Sequence, residues 1–274
     1  MLGRRPDGYH ELETIFQTVA FADLITLEPT KGGVVLEVGE GNAPDGEANL
    51  AHRAATGFLG RWARDRGVRI VLQKHIPMGG GLGGGSSNAA AVLLGLREML
   101  GVPEDRRAMA GLARELGADV PYFLLGGTAL GTGRGDDLEP LPDLPEREVW
   151  LVTPPLGIPT GEIFGGLQAE EVLNPPPSAS PFSANTDWQW LGAGRNDLEA
   201  VVMQRYPLVR DVYNALVEAG ATVVRLSGTG ATLFAFFRDS TATFGLATKL
   251  PQGSRVVHTR TLTRSSLDRL RVVQ

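Results

Sequence analysis

The stretch Lys74–Ala91, KHIPMGGGLGGGSSNAAA, decides how the rest of the chain is to be read, because six of the seven residues from Gly79 to Gly85 are glycine. Glycine has no Cβ, so it reaches backbone angles closed to other residues and lets the main chain pass close to a ligand. Ser86, Ser87 and Asn88 then lead into a stretch rich in alanine and leucine, which reads as a helix over Ala89–Leu100 with an apolar stripe of Val92, Leu93, Leu96 and Leu100. Unpaired amides and the positive end of the dipole make a helix start attractive to anions. A glycine run feeding such a start is a phosphate cradle. It is not a Walker A loop, since no Gly-Lys-Ser/Thr follows the glycines. Nor is it a good dinucleotide fingerprint, because Glu104 and Asp105, at about the right distance, lie in a turn rather than at a strand end. A flexible linker is the bland alternative. Linkers are rarely flanked by a strand, here Val68–Leu72, and a strongly apolar helix. The hydroxyls of Ser86 and Ser87 suit phosphate or Mg²⁺ as well as ordinary capping.

Working outward, 274 residues suffice for one large domain or two that share an interface. Hydrophobic residues make up 42%, enough for real cores, and the net charge of -5 argues against general binding to nucleic acid or an anionic membrane. With no cysteine, disulfides, thiolate metal sites and cysteine nucleophiles are excluded. No apolar run is long enough to span a bilayer, and MLGRRPDGYH lacks an apolar signal core, so a cytoplasmic protein is expected.

Strands are expected over Asp23–Pro29, Val34–Val38, Val149–Thr153, Thr222–Ser227, Thr232–Phe237 and Arg255–Leu262, and a hairpin within Gly126–Gly135. Helices are expected over Asn49–Arg61, Met109–Leu116, Pro207–Ala219 and Ser240–Leu250. The acidic, proline-rich Glu139–Glu148 reads as a linker, and Asn174–Trp190 as an exposed loop. Strands and helices mix without strict alternation, which favours α+β.

Three further segments carry candidate chemistry. Asp119, in GADVPYF, follows a helix downstream of the glycine run, and a carboxylate there suits acceptance of a hydroxyl proton; capping a short helix is an equal alternative. In RPDGYHELET, Tyr9 and His10 leave an Asp-Gly turn and could stack on and hydrogen-bond to a heterocycle, although a half-buried tyrosine beside a surface histidine is the commoner arrangement. In LSGTGATLFAF a Gly-Thr-Gly turn joins two strands, and Ser227 and Thr229 could close a phosphate site from a second domain or simply form a tight turn.

Together RPDGYHELETIFQ, ANL at Ala48–Leu50, the glycine stretch, LGADVPYF, IPTGEIF at Ile158–Phe164, RNDLE at Arg195–Glu199 and SGTGA resemble, in order and over nearly the whole chain, the galactokinase, homoserine kinase, mevalonate kinase and phosphomevalonate kinase (GHMP) superfamily. Within it, DGYHE with GADVP is similar to the 4-diphosphocytidyl-2-C-methyl-D-erythritol kinase family. The resemblance implies a two-domain α+β fold, a ribosomal protein S5 domain 2-like domain over residues 1–148 and a ferredoxin-like domain over 149–274, with the site between them. It implies ATP and Mg²⁺ as cofactors, a small-molecule cytidyl substrate, and neither nucleic acid nor membrane as partner. By position Asp119 matches the catalytic base, and Pro77, Met78, Gly79, Gly80, Gly81, Leu82, Gly83, Gly84, Gly85, Ser86 and Ser87 the ATP phosphate loop. Asn49 matches a residue near the adenine and Lys74 a lysine on the nucleotide side. Tyr9, His10 and Phe164 match the residues that hold cytosine, and Thr160 and Gly228 the second domain's share of the cleft. No metal ligands are assigned. Family members place a strand with Pro-Ala-Lys-x-Asn-Leu ahead of DGYHE, its lysine beside the aspartate; these 274 residues contain no such stretch, so the start is expected upstream of Met1. Another small-molecule kinase of the superfamily, or an impaired nucleotide-binding module, are the alternatives.

Overall fold

The computed structural model describes residues 1–103, 105–165, 167, 194–238 and 245–271; the loop expected over Asn174–Trp190 and the first half of the helix expected over Ser240–Leu250 lie outside them. In the N-terminal half, β1 (Gly3–Arg4), β2 (His10–Gln17), β6 (Thr128–Gly133) and β7 (Asp137–Pro140) form an antiparallel sheet in that order. A second sheet holds β3 (Leu24–Thr30), β4 (Gly33–Glu40) and β5 (Gly67–Gln73) in the order β3-β5-β4. β4 and β5 pair in parallel because α1 (Leu50–Trp62) carries the chain back between them. With α2 (Gly84–Met99), α3 (Arg106–Leu116) and α4 (Val120–Leu125), α1 covers this second sheet. Phe58, Val68, Ile70, Leu93, Leu96 and Leu112 meet in the core so formed. Each such side chain contributes roughly 1.5–3 kcal/mol by leaving water.

The C-terminal half runs β8 (Glu148–Thr153), α5 (Thr160–Gly165), α6 (Glu199–Arg205), α7 (Pro207–Glu218), β9 (Val223–Leu226), β10 (Leu233–Phe236), α8 (Leu246–Lys249), β11 (Arg255–Arg260) and α9 (Arg264–Leu270). Its strands order as β11-β8-β10-β9, all antiparallel, which is the ferredoxin-like arrangement. β8 is buried on both faces. Val152 packs into a core with Val209, Val212 and Leu216 of α7. From its other face Val149 and Leu151 join a cluster with Val19, Phe21 and Leu82 of the N-terminal half. Leu82, the one non-glycine in the glycine run, thus ties the loop to the second domain.

Two expectations need correction. The helix expected from Ala89 begins at Gly84, so the last two glycines, Ser86 and Ser87 lie within it. The expected linker Glu139–Glu148 begins inside β7 and then packs: Leu144 is buried, and Asp143 pairs with Arg264 at 3.0 Å. The short helices α6 and α9 were not expected, and α9 lies against the N-terminal half, where Arg271, just beyond it, donates to the Phe123 carbonyl.

Candidate active site

The glycine run links β5 to α2, and its conformation shows why glycine is needed. Gly79, Gly81 and Gly83 have φ of 63°, 72° and 65°, a region that side chains disfavour. A Cβ on Gly81 would stand 2.2 Å from the Ser227 carbonyl oxygen, and one on Gly83 2.6 Å from the Phe123 ring. The carbonyl side of the loop is occupied by the second domain. The Gly79 oxygen accepts from the Ile158 and Ala231 amides at 3.1 and 3.3 Å, the Gly80 oxygen from the Thr232 amide at 3.1 Å, and the Gly81 oxygen from the Ser227 hydroxyl at 2.8 Å. Gly83 is the left-handed N-cap of α2 and has no side chain to offer, so the first amides of α2 keep no capping partner. Ser87 donates its hydroxyl back to the Gly84 carbonyl at 2.8 Å. The close packing on one side admits only glycine, and the uncapped amides at the start of α2 are free to meet an anion.

Lys74 does not reach into that space. Its ammonium is buried against Asp23 at 2.6 Å and donates to the Ile76 carbonyl at 2.7 Å, with side-chain exposures of 6% and 0% for Lys74 and Asp23. Asp23 also accepts the amides of His75 and Ile76 at 2.6 and 2.7 Å. The extra hydrogen bonds offset the cost of burying both charges, and the pair fixes the entry of the loop. Asn49 is likewise engaged, as the N-cap of α1: its Oδ1 accepts from the Ala51 amide and its Nδ2 donates to the Pro44 carbonyl, both at 2.9 Å.

Asp119 occupies the N-cap position of α4 but makes no capping bond, so nothing in its own helix claims the carboxylate. Its side chain reaches solvent, yet it stands in a recess crowded by protein, and that desolvation pushes its carboxyl above the ordinary carboxylate value. α4 lies beside the loop exit, since Phe123 faces Gly83.

The expected base-binding residues come from segments far apart in the sequence. His10, at the start of β2, meets Phe164 of α5 with ring centroids 5.3 Å apart and tilted by 33°. Burial, helped by the charge of Arg4, lowers the His10 pKa and so favours the neutral imidazole. Tyr9 is 56% exposed, with the Arg134 guanidinium 5.2 Å from its ring centroid. Across the cleft, the hydroxyls of Thr160 and Thr229 lie 3.2 Å apart. Gly228 holds φ 55° within the turn that faces Gly81.

Three positioning residues were not singled out in the sequence. Asn196 donates to the carbonyls of Leu226 and Gly228 at 3.0 and 2.7 Å, and Glu199 accepts from the Leu226 amide at 2.8 Å, so the RNDLE run braces the Ser227–Ala231 turn. Its occurrence in the ordered motif set was the available signal. Asp23 stands outside every motif and had none. Among the described residues no group of three His, Cys, Asp or Glu side chains gathers as a metal site, and no helix is long and apolar enough to cross a membrane.

Known proteins share this architecture. Residues 49–127 match the GHMP kinases N terminal domain and residues 180–250 the GHMP kinases C terminal domain. The 4-diphosphocytidyl-2-C-methyl-D-erythritol kinase of Moorella thermoacetica is 38% identical over 96% of this chain and 94% of its own. That of Desulfotalea psychrophila is 42% identical over 88% of this chain and 82% of its own. A crystal structure of 4-(cytidine 5'-diphospho)-2C-methyl-D-erythritol kinase superposes with a TM-score of 0.79 at 35% identity, covering 94% of this chain and 92% of that one. L. major mevalonate kinase, at 13% identity and a TM-score of 0.65 over 93% and 90% of the two chains, shares the fold.

Proposed function

The chain belongs to the GHMP kinases, among the 4-diphosphocytidyl-2-C-methyl-D-erythritol kinases, and from that membership we propose how its own residues divide the work of moving the ATP γ-phosphate to the substrate's 2-hydroxyl. Residues 1–148 form the ATP side and residues 149–274 the second wall, with α9 crossing back. The amides of Gly79–Gly85 and the start of α2 receive the ATP phosphates. The docking of three consecutive loop carbonyls onto the second domain carries this reading, because it leaves the amide side for an anion.

Asp119 accepts or orients the proton of the attacking hydroxyl. Its raised pKa moves it toward the working pH, where a general base is effective. Tyr9 and Phe164 stack on the cytosine, and neutral His10 offers it a hydrogen bond. Thr160 and Gly228 line the cleft. Lys74 and Asn49 act one step back: Lys74 fixes the loop entry and Asn49 caps the helix beside it. Mg²⁺, if bound beside the phosphates, would find the Ser86 hydroxyl as a ligand from the chain and would supply neutralisation of their charge. Catalysis then consists largely of positioning and electrostatics. With a small, polar substrate, we place the enzyme in the cytoplasm.

ADP release by the purified protein tests this reading. Turnover is expected with the cytidyl diphosphate substrate and not with homoserine or mevalonate. Comparable rates on mevalonate, or none on the cytidyl substrate, would refute the assignment.

A further inference from the structure

The carboxylate of Asp119 makes no capping bond to α4, so the placement of that helix decides where it points. A helix of six residues does not hold itself in place. Its C-terminal end is held by chain that arrives from the far end of the sequence. The Arg271 guanidinium donates to the Phe123 carbonyl at 2.7 Å, one of the carbonyls that a helix end leaves without a partner. A cation there also complements the negative end of the helix dipole. The chain leaves α4 through Gly126 and Gly127, with φ of 71° and 68°. A Cβ on Gly126 would lie 2.3 Å from Leu267 of α9, and one on Gly127 2.5 Å from Arg264. Arg264 in turn donates to the Leu141 carbonyl and to Asp143, each at 3.0 Å, and to the Thr128 carbonyl. On the other side, Tyr122 of α4 donates its hydroxyl to the Gly127 carbonyl at 2.8 Å and lies 2.8 Å from the Thr18 hydroxyl.

We propose that α9 and Arg271 form a positioning clamp for the phosphoryl-transfer step: by capping the end of α4 and packing on its glycine exit, they set the aim of the Asp119 carboxylate. Arg271 acts only through Asp119, so this inference rests on the reading of Asp119 as the proton acceptor. The clamp connects the last described residues of the chain to the reacting end of the cleft.

The test is a double-mutant cycle on the whole protein, with single-turnover rates, KM values and melting temperatures for Arg271→Ala, Arg271→Lys, Asp119→Asn and the Arg271→Ala/Asp119→Asn pair. Misaligning a reacting group by about an ångström costs up to roughly a hundredfold. Arg271→Ala should therefore lower kcat by about tenfold or more, leave both KM values within about twofold, and be rescued largely by Arg271→Lys. In the Asp119→Asn background the same change should cost nothing further, because the aimed group is gone. A full additional loss in that background, an unchanged kcat, or loss of the folded state in Arg271→Ala would overturn the clamp. An Asp119→Asn enzyme with parental turnover would instead refute the role of Asp119 itself, so the two failures are distinguishable.

Discussion

Asp119 and Lys74 show how differently two charged residues of one site are treated. The Asp119 carboxyl binds its proton more tightly in the folded protein than in the unfolded chain, because protein crowding penalises its charge. The sign of the linkage follows: stability rises as pH falls through the raised folded-state value, and above it the charged carboxylate costs stability. Asp119→Asn should therefore raise the melting temperature at pH 7 slightly, because the side chain reaches solvent and the penalty is screened, a gain that shrinks as pH is lowered; differential scanning calorimetry across pH reads it directly. On the proposed role, function retains a group there that stability would discard. Lys74 is the reverse case. Lys74→Ala leaves Asp23 charged, buried and stripped of its ammonium partner, which costs about 3–5 kcal/mol in urea unfolding. A stable Lys74→Ala protein with a large rise in the KM for ATP alone would instead make Lys74 a direct nucleotide ligand.

At the scale of elements, the glycine run shows what a sequence discloses and what it conceals. A phosphate cradle was legible in Gly79–Gly85, but the start of α2 was placed at Ala89 because glycine is a poor helix former. Packing overrides that propensity: a Cβ on Gly84 would stand 2.9 Å from both Ile76 and the Lys74 ammonium, so the helix can begin there only with glycine. Asp119 could be read equally as a cap or as a base; its place at the N-cap without a capping bond leaves the carboxylate for other work. The stretch Glu139–Glu148 was misread because its prolines suggested a linker, while the partners that order it, Arg264 for Asp143 and the cluster around Leu144, lie far away in sequence. Gly81→Ala combines a disfavoured φ with a 2.2 Å approach to the Ser227 carbonyl, so it should prise the loop from the second domain. We expect a loss of about 1–3 kcal/mol in stability together with a large fall in kcat/KM for ATP. Gly60→Ala, in α1 with open space at its Cβ, serves as the control: it should leave kcat/KM unchanged and raise stability by about 0.5–1 kcal/mol.

On the scale of the whole molecule, the two-domain α+β class was legible from ordered motifs and hydrophobic patterning, while a shared location for His10 and Phe164 was implied only by the family resemblance. The docking surfaces were not legible, since they consist largely of main-chain hydrogen bonds between glycine-rich turns, to which the Ser227 hydroxyl and the Leu82 side chain add. Asp23, Asn196 and Glu199 grip backbone atoms and so leave little trace in residue type. On the proposed reading, the loop, the aspartate and the base-stacking pair act together only when both domains and α9 are in place. Proton transfer at Asp119 is central to that reading, and the single-turnover rate of Asp119→Asn with ATP and the cytidyl substrate both saturating tests it most directly. A fall of about 10²–10⁴-fold with both ligands still bound is the predicted result; a rate near that of the parent would contradict it.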